Sequence, residues 1–305
     1  MKESEIKRNP HPDFKKVEGS RPAWDRGADG FKFTQTAAPS WKFGSGANDL
    51  AGDEEEQRRR QHVTIDPFAE GRAPVNNYKL LISAVVPRPI AFVSTVSPDG
   101  KTTNLAPFSY FQVISHDPPL FVIGFASSLA SAAAAKHTLH NLAETRECTV
   151  NIISEHFAEA ANSTSINAPY GVSEWAVSGL TPAYDCHTVK PARVREAVFS
   201  IEARLESLRE FESRSKPGTK NATMVVIEGT RFWVREDAIN EDRNLIDPSV
   251  LRPISRLGGI TYGRTIEGFE LPRPDFDKDL GGPEGYEKLE GERGGKHDSH
   301  AEGKI

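Results

Sequence analysis

The chain has 305 residues, a formal net charge of −5, 37% hydrophobic residues and a mean hydropathy of −0.50. That length admits one large domain or two small ones, and the low hydrophobic share assigns part of the chain to solvated segments. The acidic balance lacks the Lys/Arg excess of a nucleic-acid footprint, and with no long apolar run nothing is expected to span a membrane.

The N-terminal stretch MKESEIKRNPHPDFKK has no apolar core of the secretory kind, so the expectation is a cytoplasmic protein. Residues 1–61 read as a polar extension, broken by Pro and Gly and ending in the charge run DEEEQRRRQ. Its Trp24, Phe31, Phe33, Trp41 and Phe43 are more aromatic than a solvated tail requires. Two readings stay open: the segment lies against the folded domain or a partner subunit, or it is a disordered extension.

Residues 62–274 form the dense region. NYKLLISAVV reads as a short helix stopped by the prolines of VPRPI. IAFVSTVS is a strand, SPDGK a turn whose Asp-Gly supplies positive φ, and TTNLAPFSYFQVI the return strand. DPPLFVIGF is another strand, entered through two prolines that cannot sit mid-sheet. The Ala-rich stretch ASSLASAAAAKHTLHNLAETRE favours helix, with Thr138 as a cap of its last piece. CTVNIIS is a strand and SEHFAEAANS a short helix. AVFSIEARLESL alternates, with Phe199, Ile201, Ala203 and Leu205 on one face and Ser200, Glu202, Arg204 and Glu206 on the other. TMVVIEGTRFWV is a further strand. From residue 275 to 305 the chain is charged and Gly-rich, the composition of a disordered tail.

This order, mainly β with inserted helices, predicts a β-barrel rather than a doubly wound sheet. No G-x-G-x-x-G joins a strand to a helix and no P-loop occurs, so a bound nucleotide needs another architecture. The two cysteines read as a buried Cys148 and an incidental Cys186, not as a disulfide framework. His116, His137, His140, His156 and His187 do not assemble a metal set.

NLAPFSYF, residues 104–111, is shaped differently from a packing strand. Pro107 brings no N–H and breaks the ladder, Ala106 permits close approach, Asn104 and Ser109 supply donors and acceptors, and Phe108 and Tyr110 can wall a flat ring. An edge strand with a Pro-induced bulge fits the same residues.

PRPIAFVSTVSPDGKTTNLAPFSYF, then DPPLFVIGF, KHTLHNL, NII, EWAVSGLTP and RPISRLGGITY together resemble the flavin reductase-like FMN-binding family, from Asn77 to Tyr262. The resemblance implies a split β-barrel and FMN in a cleft between the two protomers of a homodimer. It implies that Ser94 and Thr95 line the flavin and that Asn104, Ala106, Pro107, Phe108 and Ser109 frame its ring. Ser127 or Ser128, with Lys136 and Thr138, would meet the ribityl chain and phosphate, and Arg88 is a further phosphate candidate. Arg256, Gly258 and Gly259 either approach the ligand or form a tight turn. Many members read K-D-T where this chain has His137 between Lys136 and Thr138. Hydride transfer from NADH or NADPH to the flavin requires no catalytic side chain. The expected activity is an NAD(P)H-dependent flavin reductase with a small-molecule electron donor and acceptor. An FMN electron-transfer or storage protein, or an interaction module without flavin, are the alternatives.

Overall fold

A computed structural model of the chain describes residues 9, 11–24, 30–130 and 135–301. The regular elements begin with α1 (Phe14–Gly19), β1 (Lys32–Phe33), α2 (Glu54–Arg59) and α3 (Pro74–Ala84). Four strands follow: β2 (Ala91–Val96), β3 (Thr103–Phe108), β4 (Phe111–His116) and β5 (Pro119–Phe125). Helix α4 (His137–Thr145) leads into β6 (Glu147–Ile152), α5 (Ala158–Ser163), α6 (Glu174–Ser178) and the short pair β7 (Pro182–Ala183) and β8 (Arg193–Val194). The long strands β9 (Phe199–Glu212) and β10 (Lys220–Val234) come next. The chain then runs through α7 (Pro248–Leu251), β11 (Ile254–Arg256), β12 (Tyr262–Arg264), β13 (Glu267–Gly268) and α8 (Gly282–Ala301). No helix among the described residues is long and apolar enough to cross a membrane.

The chain divides into two compact units. The first joins the residues up to Phe31 with Asp66–Ile266 and holds a seven-stranded sheet in the order β3-β2-β6-β9-β10-β5-β4, antiparallel throughout. Its two edge strands, β3 and β4, are consecutive in the chain and separated only by Ser109 and Tyr110. Three residue steps span at most ~11 Å of extended chain. The opposite edges must therefore meet, and the sheet curls on itself. No ladder joins β3 to β4 among the described residues, so the seam stays open.

The single return strand expected over TTNLAPFSYFQVI is thus two strands on opposite edges. The break falls where the Tyr110 carbonyl accepts from Gly124 N–H (2.7 Å), which ties the crossing to β5. A Cβ at Gly124 would stand 3.0 Å from the Tyr110 side chain, so this approach needs glycine.

The inward face of the curl is a core of Ala91, Val93, Phe111, Ile123, Phe125, Leu139, Leu142, Val150, Ile201, Leu205, Val225 and Ile227. Alternation along β9 delivers Ile201, Ala203 and Leu205 to it, as the sequence pattern requires. A second core packs Phe92 and Leu105 against Ile153, Phe157, Trp175, Val194 and Ile254. Strand β2 is consequently buried on both faces. The polar face of β9 is mixed: Arg204 and Glu206 are exposed, whereas Ser200 and Glu202 are buried.

Thr138 does not cap α4. Lys136 occupies the N-cap position and makes no side-chain cap bond, and Thr138 lies within the first turn. The alanines at 132–134 lie outside the described residues, so the helix expected across them is left there.

Residues of the extension enter both units. In the first, Trp24 lies under the guanidinium of Arg264 at 4.2 Å and that of Arg252 at 5.9 Å, and Phe31 N–H donates to Ser249 Oγ (3.1 Å). The second unit joins Lys32–Ile65 with the chain from Glu267 onward. There β1 pairs in parallel with β13, and Trp41 meets Phe43 edge-on at 5.8 Å. Both rings line a concavity of about 680 Å³ with Pro272, Pro274, Leu280 and Leu289. The tail from residue 275, expected to be disordered, carries α8 over Gly282–Ala301, and Leu289 of that helix lines the same concavity as the extension's aromatics.

Candidate cofactor-binding site

Strand β3 pairs with β2 in unbroken register, Thr95 opposite Asn104, Val93 opposite Ala106 and Ala91 opposite Phe108. Leu105 N–H points away from β2 and donates to Glu174 Oε2 (3.1 Å). Because N–H direction alternates along a strand, residue 107 also faces outward. Pro107 therefore removes no bond from the ladder. It sits opposite Phe92 and blunts the open edge, so the expected break in pairing is absent.

Side chains alternate likewise. Asn104, Ala106 and Phe108 share one face, where Phe108 packs on Phe125 at a centroid distance of 4.7 Å. Thr95 lies on that face opposite Asn104, while Ser94, opposite Leu105, lies on the other. Ser94 and Thr95 thus cannot present their side chains to one ligand. The Ser94 hydroxyl is buried with no hydrogen-bond partner.

The N-terminus of α4 is brought to the Thr95–Asn104 pair. Asn104 Nδ2 donates to Thr138 Oγ1 (2.7 Å), and Asn141 Nδ2 donates to Thr95 Oγ1 (3.1 Å). Tyr170 Oη donates to Asn141 Oδ1 (2.9 Å) and closes the network from a separate loop. Thr95, Asn104, Thr138 and Asn141 are all buried. The loop before α4 is pinned at its base. Lys136 N–H donates to Ser127 Oγ (3.1 Å), and Thr223 Oγ1 of β10 donates to the Ser127 carbonyl (2.7 Å). Ser128 Oγ accepts from Ala130 N–H (3.4 Å). Thr95, Asn104, Ser127, Ser128, Lys136 and Thr138 therefore converge, with Ala106, Phe108 and Ser109 further along the same edge. The uncapped first turn of α4 adds N–H donors and the positive end of its dipole, which together favour an anion.

Arg88 is not part of this cluster. Its guanidinium donates to the carbonyls of Ile82 (2.6 Å), Val85 (2.7 Å) and Leu257 (3.0 Å), closing the C-terminal end of α3 onto the β11–β12 turn. Arg256 stacks on Tyr262 at 4.4 Å and donates to the Gly259 carbonyl (2.8 Å). Gly259 has φ 59° and a Cβ at Gly258 would meet Ser83 at 3.2 Å, so this glycine pair forms a tight turn packed on α3. Burial pushes the Cys148 thiol up to about 12 and the Cys186 thiol up to about 11, leaving both unreactive at neutral pH. Among the described residues, no three His, Cys, Asp or Glu side chains gather as a metal site.

Three residues at this site were given no role in the sequence reading. Asn141 stands three positions after Thr138 and hence on the same helix face, a spacing that could have revealed it. Tyr170 lies in an irregular loop and had no such signal. Glu174 is buried against the β3 edge, and burial raises its carboxyl above the usual range.

Residues 83–251 match the family model of the flavin reductase like domain. An uncharacterised protein of Halalkalibacterium halodurans is 35% identical over 202 residues, which covers 66% of this chain and 93% of that protein. Nitrilotriacetate monooxygenase component B from Bacillus cereus superposes with a TM-score of 0.63 at 32% identity, over 70% of this chain and 100% of its own. The 2-nitrobenzoate 2-nitroreductase NbaA of Pseudomonas fluorescens gives a TM-score of 0.60 at 29% identity, over 71% of this chain and 98% of its own.

Proposed function

The chain belongs to the flavin reductase like family, and we propose that it is an FMN-binding oxidoreductase that draws hydride from NADH or NADPH. The observation that carries this reading is the convergence of Asn104, Thr138, Ser127 and Lys136 on the uncapped end of α4, beside the open edge of β3.

The donor set suits a flat, polar ring on a phosphorylated tail. Lys136 supplies a point charge for the dianion, and the first-turn N–H groups of α4 supply neutral donors. Thr138 and the Ser127–Ser128 loop supply hydroxyls where a ribityl chain would run. Asn104, held by Thr138, and the β3–β4 join at Ser109 offer an amide and a hydroxyl to the ring's polar edge. Ala106 keeps the approach clear. When bound, FMN accepts hydride from a nicotinamide and passes electrons onward. The chain's own residues position the ring and the phosphate, and no side chain is needed as a general acid or base.

A homodimer with the cofactor at its interface is part of the proposal. Leu80, Leu81, Val85 and Val86 around the end of α3, and Val113 and Ile114 on edge strand β4, are apolar and exposed. Residues of this kind need a cover. The names of the two solved relatives, a monooxygenase component and a nitroreductase, support an oxidoreductase whose acceptor is a small molecule or a partner component.

The test is an anaerobic titration of the FMN-loaded protein with NADH and then NADPH, followed by visible absorbance. Bleaching at a catalytically useful rate is expected and names the donor. Bound flavin that neither donor bleaches refutes the reductase reading and leaves an electron carrier. Failure to bind FMN refutes the whole assignment.

A further inference from the structure

The first turn of α4 carries more ionisable groups than one phosphate requires. Lys136 is the N-cap, and His137 and His140 follow it three residues apart, hence on one helix face. Both imidazoles meet the same side chain. The Tyr170 ring lies 5.0 Å from His137 and 5.8 Å from His140, with interplanar angles of 87° and 78°. Tyr170 is tethered through Asn141 to Thr95, so the residue that fixes the imidazoles is bound into the network that frames the site. Both imidazoles are half-buried and Tyr170 is 50% exposed, which leaves the trio accessible at the helix N-terminus.

Burial, then Lys136 and His140, hold the His137 imidazolium below its usual range. The charged and titratable groups around it are Lys136 and His140 on its own helix and Tyr170 across from it. Asp99, in the β2–β3 turn, acts on Tyr170 and accepts from Ser97 Oγ (2.6 Å). Glu210 accepts from Leu129 N–H at the loop before α4 and pairs with Lys220 (2.9 Å). Glu144 lies two turns further along α4. Burial, Lys136 and the positive end of the helix dipole oppose a proton on His137, and an incoming dianion works against all three.

We propose that His137, seated with His140 against Tyr170 beside Lys136 at the start of α4, forms a proton-linked grip on the cofactor's phosphate and takes up a proton as the dianion arrives. This rests on the FMN reading above. The sign follows from linkage. The imidazole pKa is higher in the complex than in the free protein, so the added affinity is complete at low pH and is lost as pH rises through the pKa of the complex. A one-unit rise on one imidazole tightens binding about tenfold.

The test is calorimetric titration of the flavin-free full chain with FMN and with riboflavin at pH 7, in two buffers of different ionisation enthalpy. Titrations at pH 6 and pH 8 are run beside it. The expected result is net proton uptake with FMN, none with riboflavin, and an FMN Kd roughly twofold to threefold tighter at pH 6 than at pH 8. The phosphate's own second ionisation, near pH ~6, releases protons on binding to cations, so uptake cannot come from the ligand. The double variant H137Q/H140Q should lose both effects while binding riboflavin as the parent does. Equal proton balance for FMN and riboflavin in the unmodified protein overturns the grip, as does uptake that persists in the double variant. Either result leaves FMN binding intact. Absence of FMN binding at every pH overturns both readings.

Discussion

Replacing Glu202 by Gln tests how the sheet beneath the site is held. Glu202 sits on β9, 0% exposed, opposite Thr149 of β6 and Arg231 of β10. Its carboxylate accepts from the N–H groups of His187 and Thr188, the Thr188 hydroxyl and Trp233 Nε1. Burial alone would push this acid up, but those donors outweigh it and hold the carboxyl at about 2, against an ordinary 4.5. A displacement of about 2.5 units corresponds to ~3 kcal/mol of stability at neutral pH. Glutamine keeps one acceptor and turns an NH₂ toward Thr188, where two donors already point. The whole ~3 kcal/mol should be lost at pH 7, lowering Tm by roughly 6–12 °C for a domain of this size. The folded pKa is depressed, so the contribution is present above 4.5 and is lost as pH falls toward 2. Thermal melts of both proteins should therefore converge in acid, with the gap roughly halved by pH 3. A variant as stable as the parent at pH 7 refutes the reasoning. A gap that is the same at pH 7 and pH 3 shows that packing, not the carboxylate charge, does the holding.

Lys136→Ala should weaken FMN about tenfold to a hundredfold, the range for a lost charge-assisted hydrogen bond, and leave riboflavin unchanged in a flavin-fluorescence titration. Equal loss with both flavins would move Lys136 away from the phosphate. Arg88→Met should behave in the opposite way. It strands the carbonyls of Ile82, Val85 and Leu257, which costs about 3 kcal/mol or more in a denaturation curve, while the folded protein keeps its FMN Kd. A selective loss of FMN would restore Arg88 as a phosphate ligand.

What could be read from the sequence was whatever repeats locally. The alternation that buries Ile201, Ala203 and Leu205, the Asp-Gly turn with Gly100 at φ 74°, and the helix stopped before Pro87 all follow from near neighbours. The break at Ser109–Tyr110 does not, because 103–108 and 111–116 are equally good strands. The distant Gly124, whose missing Cβ leaves room for Tyr110, sits at the break and lies beyond any local signal. Arg88 escaped for a related reason. Its partners are backbone carbonyls, which every residue has and no motif records. Ser94 is different, since period-two alternation already separates it from Thr95. A motif that covers two adjacent strand residues names the strand, not both side chains.

The position of the site follows from the unclosed seam. A sheet whose first and last strands are chain neighbours cannot lie flat, and here no ladder joins those two strands among the described residues. Strand β3 is left with an open edge, and an open edge invites another strand unless it is blunted or covered. Here Pro107 withholds one donor, and Glu174 takes up another at Leu105. The inward end of the edge is covered by α4, whose first turn must then face the same gap as Asn104. Edge polarity and helix polarity are thereby aimed at one place by the topology, before any side chain is chosen. On the FMN reading proposed above, Lys136, His137 and the Ser127–Ser128 loop set which anion that place prefers.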